Sequence, residues 1–170
     1  MMTIVVGFLG IICVLTLIKS WRQIFRAPVK WESNNEPRAV EMIVEDINRA
    51  RQRLLFYGGS GVTYNDPAIL NALGNKKIPI EMIFQNEKVG STNLADLAKS
   101  KDNIHLYYVK DDLGFRHFRV VDHDYVYIEK KHDLNTKKRD YKRLKNVRFL
   151  PGEYSKKFTK IRLESKAISG

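Results

Sequence analysis

The 170-residue chain carries 30 Lys and Arg against 19 Asp and Glu, a formal net charge of +11, and its length fits one domain plus an accessory segment. Fourteen of the basic residues and only four acidic ones lie within 130–170, so nearly all the excess sits in the last quarter, where it favours polyanionic partners such as nucleic acid or anionic lipid. The single cysteine, Cys13, excludes an intrachain disulfide and a cysteine-based metal site.

Residues 3–18 carry no charge and end against Lys19, Trp21, Arg22 and Arg26. As a helix this run is about 24 Å long. Met1, Met2 and a snorkelling Lys19 bring it towards the roughly 30 Å of a hydrocarbon core. It is apolar all round rather than striped, and it lacks the basic n-region and cleavage site of a signal peptide. Residues 1–22 are therefore expected to form a transmembrane anchor. Trp21 would sit at the interface, and the basic flank predicts a single-pass protein whose soluble domain stays in the cytoplasm. Residues 23–36 read as a polar linker and 37–170 as the folded domain.

Within that domain Val40, Ile43, Val44, Ile47 and Ala50 recur at helical spacing, predicting an amphipathic helix over about 37–51. Arg53 to Tyr57 reads as a strand that runs into Gly58-Gly59-Ser60-Gly61. Such a loop presents N–H groups to phosphate or forms an ordinary turn, and it lacks the G-K-S/T ending of a P-loop. Asp66 as N-cap and Pro67 at N1 open a short helix that closes at Gly74. Ile78 to Phe84 is a second strand, Asn93 to Lys99 a third helix and Ile104 to Val109 a third strand. Strands alternating with helices predict an α/β domain with a mixed, largely parallel sheet flanked by helices.

A hairpin follows over 116–129. The stretch from 135 to 145 is too basic and polar to assign. Val147 to Leu150 offers one last strand, and Pro151 opens a helix towards Ala167, with Tyr154, Phe158 and Ile161 as its apolar stripe. There is no internal repeat.

The hairpin concentrates the chemistry. Residues 117–132 read H-F-R-V-V-D-H-D-Y-V-Y-I-E-K-K-H. Strand alternation puts His117 and Arg119 on one face, roughly 7 Å apart, where a phosphate could bridge them. His117, Asp122, His123, Asp124 and His132 all carry metal-ligand atoms. Alternate strand positions face apart, however, and no H-E-x-x-H spacing occurs, so neither a metal site nor a cofactor is expected.

This hairpin resembles the H-x-K-x-x-x-x-D motif of the phospholipase D superfamily, with Arg119 in the lysine position. Asp124 fits the literal spacing and Asp122 the local pattern. The order of elements over about 37–166 is similar to that of the small bacterial endonucleases with one motif per chain. The resemblance implies a histidine nucleophile at His117, a phosphate clamp at Arg119, and Asp122 or Asp124 orienting an imidazole or supporting the hairpin. It also implies a homodimer in which two motifs build one site.

The family's G-S-x-N segment falls on Lys131-His132-Asp133-Leu134, so His132 either replaces a phosphate contact or ends the strand. Gly59, Ser60, Lys130 and Lys131 are candidate substrate-binding residues. The expectation is a membrane-anchored phosphodiesterase acting on nucleic acid or phospholipid. The alternative is a catalytically inactive module of the same fold that binds polyanions at the membrane.

Overall fold

The structure, a computed structural model, describes residues 32–34, 36–110, 115–129, 139–145 and 149–168. The first helix, α1 (Glu36–Arg49), is laid down by its apolar stripe: Met42, Ile43 and Ile47 are buried. β2 (Leu54–Gly58), β3 (Ile80–Phe84) and β4 (Ile104–Tyr108) follow in parallel, linked through α2 (Pro67–Gly74) and α3 (Asn93–Lys99). The Asp66 carboxylate caps α2 by accepting from Ala68 N at 2.8 Å, with Pro67 in the first turn.

The chain then turns back. β5 (Phe118–Val121) runs antiparallel to β2 and hairpins into β6 (Tyr125–Glu129), which pairs antiparallel with β7 (Arg139–Lys145). β1 (Glu32–Asn34), within the segment expected to be linker, adds an edge beside β7. The strand β8 (Lys166–Ala167) borders β4 at the other edge, giving the order β1-β7-β6-β5-β2-β3-β4-β8.

The mixed α/β character agrees with the sequence, but among the described strands only the β2–β3 and β3–β4 pairs are parallel. The expectation of a largely parallel sheet is thus corrected. The helix-linked strands occupy one stretch of the sheet, and hairpin and edge pairings, which need no crossover helix, make up the rest.

Two cores flank the sheet. On one face α1, α2 and α3 cover Phe56, Met82, Phe84, Leu106, Val121 and Tyr127. On the other, α4 (Leu150–Glu164) places Phe158 and Ile161 against Leu55, Tyr57, Ile83, Phe118 and Val120. Leu150 belongs to this helix, and α4 stops at Glu164 because β8 takes over as an edge strand, with Ile168 N donating to Leu106 O at 2.9 Å. Among the described residues no helix is long and apolar enough to cross a membrane. The expected anchor, residues 1–22, lies outside them.

Candidate active site

β2, β3 and β4 end side by side at Gly58, Phe84 and Tyr108, and the reversed β5 starts there, Phe118 pairing with Tyr57. His117, the residue just before β5, is thereby delivered to the carboxyl ends of the parallel strands, where open α/β sheets bind ligands. The hairpin brings Glu129 to the same place, its N–H donating to His117 O at 2.8 Å.

The two side chains face each other. Glu129 is buried, and its Oε2 lies 3.6 Å from His117 Nδ1. The other ring nitrogen, Nε2, lies 3.4 Å from Gln85 Oε1, while Gln85 Nε2 donates to the Tyr57 hydroxyl at 2.9 Å. The Tyr57 ring meets the imidazole edge-on at 6.2 Å. Gly59 closes the group, since a Cβ there would stand 3.1 Å from His117 Cε1.

This chain of groups accommodates either protonation state of His117. With Gln85 Oε1 towards Nε2, the amide accepts from an N–H at that nitrogen. Rotating the amide lets the Tyr57 hydroxyl donate to Gln85 and Gln85 donate to Nε2, which serves a neutral ring. A hydroxyl and an amide each both donate and accept, so Gln85 and Tyr57 can match each other in either arrangement. A carboxylate on Nδ1 is what fixes a catalytic imidazole with Nε2 directed outward.

Arg119 has a different place from the one its spacing implied. Its side chain shares the α1 face, as alternation requires, but it is 5 % exposed. There Nε donates to Asp46 Oδ2 at 2.9 Å, and the guanidinium lies 3.6 Å from the Tyr127 ring centroid. Burial works against its charge, yet the Asp46 carboxylate more than offsets this and raises the arginine above its ordinary value. The guanidinium expected to clamp a phosphate thus lies in the core, beside a buried counter-ion that α1 supplies.

The two aspartates are at the far end of the hairpin. Asp122, in the left-handed region at φ 54°, accepts from the backbone N–H groups of Arg51, Gln52 and Arg53 at 2.8–3.0 Å, tying the hairpin turn to the loop before β2. Asp124 is exposed in the same turn. Strand β5 separates both from His117, whose neighbouring carboxylate is Glu129, while Asp122 holds the hairpin turn. Gly59 does meet His117. Ser60, exposed beside it, accepts from Val62 N at 3.5 Å. Lys130, Lys131 and His132 lie outside the described residues.

Glu129 and Gln85 were not singled out from sequence. The available signal was the pairing rule: in a hairpin, the residue after the last pair stands opposite the residue before the first. Among the described residues no group of three His, Cys, Asp or Glu side chains is placed to hold a metal ion.

No protein-family model and no curated protein matches the chain. Solved structures do. A phospholipase D family member, Nuc from Salmonella typhimurium, superposes with a TM-score of 0.64 at 14 % sequence identity, over 84 % of this chain and 99 % of that one. TrmBL2, an archaeal chromatin protein described with a novel mode of DNA binding, gives 0.58 at 12 % identity, over 91 % of this chain and 61 % of its own. Phosphatidylserine synthase from Haemophilus influenzae Rd KW20 gives 0.51 at 13 % identity, over 75 % of this chain and 36 % of its own. The chain has the fold of the phospholipase D superfamily.

Proposed function

We propose that the protein is a phosphodiesterase acting on nucleic acid or phospholipid, with His117 as nucleophile. The observation that carries this reading is the His117–Glu129 pair at the carboxyl ends of the parallel strands. His117 Nε2 attacks phosphorus, an N–P bond forms, and the P–O bond to the leaving group breaks. The departing oxygen takes a proton from the His117 of a second copy, and water then cleaves the N–P bond to release a phosphomonoester. With Arg119 held in the core, the phosphate charge falls to the backbone N–H groups of the loop at Gly59 and Ser60 and to Lys130 and Lys131, which follow Glu129 in sequence. In this reading the apolar N-terminus anchors the domain to a membrane and two chains share one site.

The test is a trap. Labelled single-stranded DNA and a labelled phospholipid are each mixed with the full chain and quenched in alkali, where phosphohistidine survives. A labelled peptide containing His117, lost in His117→Asn together with turnover, supports the reading; turnover that survives His117→Asn overturns it. The buried Arg119–Asp46 pair favours a second reading, a non-catalytic polyanion-binding module. It expects no hydrolysis of either substrate and binding that weakens steeply with salt.

A further inference from the structure

We propose that the outer face of α4 docks onto an anionic lipid surface, an interaction separate from the chemistry at His117. α4 buries Phe158 and Ile161 and turns its opposite side to solvent. That side carries Phe149, Lys156, Lys160 and Leu163, at spacings of 7, 4 and 3 residues that keep them on one stripe. Phe149 continues the helical phase as the N-cap, with φ −89° and ψ −35°. It is 81 % exposed and Leu163 is 77 % exposed, two of the three large apolar side chains left in solvent among the described residues. They stand at the two ends of the stripe, about 21 Å apart, with the two lysines between them.

The charge on this stripe decides the occupant. Two carboxylates border it: Glu153 is paired with Lys157 at 3.0 Å, and the exposed Glu164 offsets one of the two stripe lysines, so the face keeps a net positive charge. A second copy laid along it would set lysine against lysine, and a polynucleotide would satisfy the lysines while leaving Phe149 and Leu163 in water. An anionic bilayer surface satisfies both. Lysine head groups meet phosphate or carboxylate head groups, and the two apolar side chains reach the acyl boundary. The uncharged run at residues 3–18 gives an independent reason for the domain to work beside a membrane.

The experiment uses the full-length chain, reconstituted with unilamellar vesicles and carrying an environment-sensitive fluorophore through Leu163→Cys in a Cys13→Ser background. Asn71→Cys, exposed on α2 on the other side of the sheet from α4, carries the control label. With phosphatidylglycerol vesicles the label at 163 should shift to the blue and that at 71 should not. The shift should disappear with phosphatidylcholine alone and weaken in high salt. Lys156→Ala with Lys160→Ala should lower the apparent lipid affinity about 25-fold, roughly fivefold for each positive charge removed. The proposal is overturned by equal shifts at both labels, by a shift indifferent to lipid charge, or by none at all. It is also overturned if single-stranded DNA produces the shift without lipid, or if raising protein concentration in detergent does. His117 takes no part in any arm, so the outcome is independent of whether the protein is an enzyme.

Discussion

Arg119 Nε donates to Asp46 Oδ2 at 2.9 Å, and neither residue is more than 5 % exposed. Asp46 sits on α1 and Arg119 on β5, so this one pair joins the helix to the centre of the sheet. Removing one member strands a buried charge, which costs about 3–5 kcal/mol, whereas replacing both with apolar groups of similar volume is often neutral. Asp46→Ala should therefore lower the urea midpoint sharply, and Asp46→Leu combined with Arg119→Met should recover most of the loss. A small effect of Asp46→Ala would mean that the pair is hydrated and that Arg119 is available to a substrate.

Tyr125 lies beside the same aspartate. Burial, with a further push from the Asp46 carboxylate, raises its phenol above the ordinary value. A folded value above the unfolded one gives stability that is complete below about pH 10 and is lost as pH rises through the raised value. The wild-type urea midpoint should fall on the alkaline side, and Tyr125→Phe should flatten that fall. Midpoints measured at a series of pH values from about 8 to 11 decide it; parallel curves for the two proteins would remove Tyr125 as the cause.

Asp122 receives three backbone N–H groups, from Arg51, Gln52 and Arg53. Asp122→Ala leaves these donors to water and keeps a side chain at positive φ, so a loss of about 1–3 kcal/mol is expected. Asn, which keeps one acceptor and tolerates this conformation, should lose less. Because the turn lies at the far end of β5 from His117, the pH dependence of any turnover should be unchanged in both variants.

The helices and central strands were legible because their signals are local: a 3.6-residue stripe in α1, the Asp66-Pro67 start of α2, and apolar runs for β2 to β4. β7 was not. It carries two Lys and two Arg, and its place in the sheet rests on Tyr141, which stacks on Tyr127 at 5.4 Å, a partner no local pattern reveals. The hairpin itself was readable, including which side chains share a face. What could not be read was the fate of each polar group. Arg119 depends on Asp46, 73 residues away, and His117 depends on Gln85, 32 residues away. Only the packed sheet decides which cation is buried and which imidazole is supported.

Gly59 is the close neighbour of the imidazole. A methyl group there would stand 3.1 Å from His117 Cε1 and 3.5 Å from Nε2, so Gly59→Ala should displace the ring by a few tenths of an ångström. A full ångström of misplacement at a reacting atom costs about 100-fold in rate, so a loss of roughly threefold to tenfold is expected here. A variant with a wild-type urea midpoint and slowed phosphohistidine formation would show this; an unchanged rate would indicate that the ring moves freely on that side.

Glu129 separates a positioned imidazole from a merely buried one. Its Oε2 faces His117 Nδ1 at 3.6 Å, longer than a direct hydrogen bond of about 2.7–3.2 Å, so the resting contact has room to tighten as the ring gains charge. Glu129→Gln keeps the shape and removes the charge that stabilises a phosphorylated or protonated ring. If the carboxylate holds the ring in its productive form, turnover should drop by about 100-fold or more, as when an orienting carboxylate becomes an amide elsewhere, with little change in KM. Glu129→Asp, which retains the charge on a shorter side chain, should recover part of the rate, a result that a purely packing role would not produce. Should Glu129→Gln and Glu129→Asp slow the enzyme equally while lowering the urea midpoint alike, the carboxylate is serving the fold, and the nucleophile must be oriented by another group.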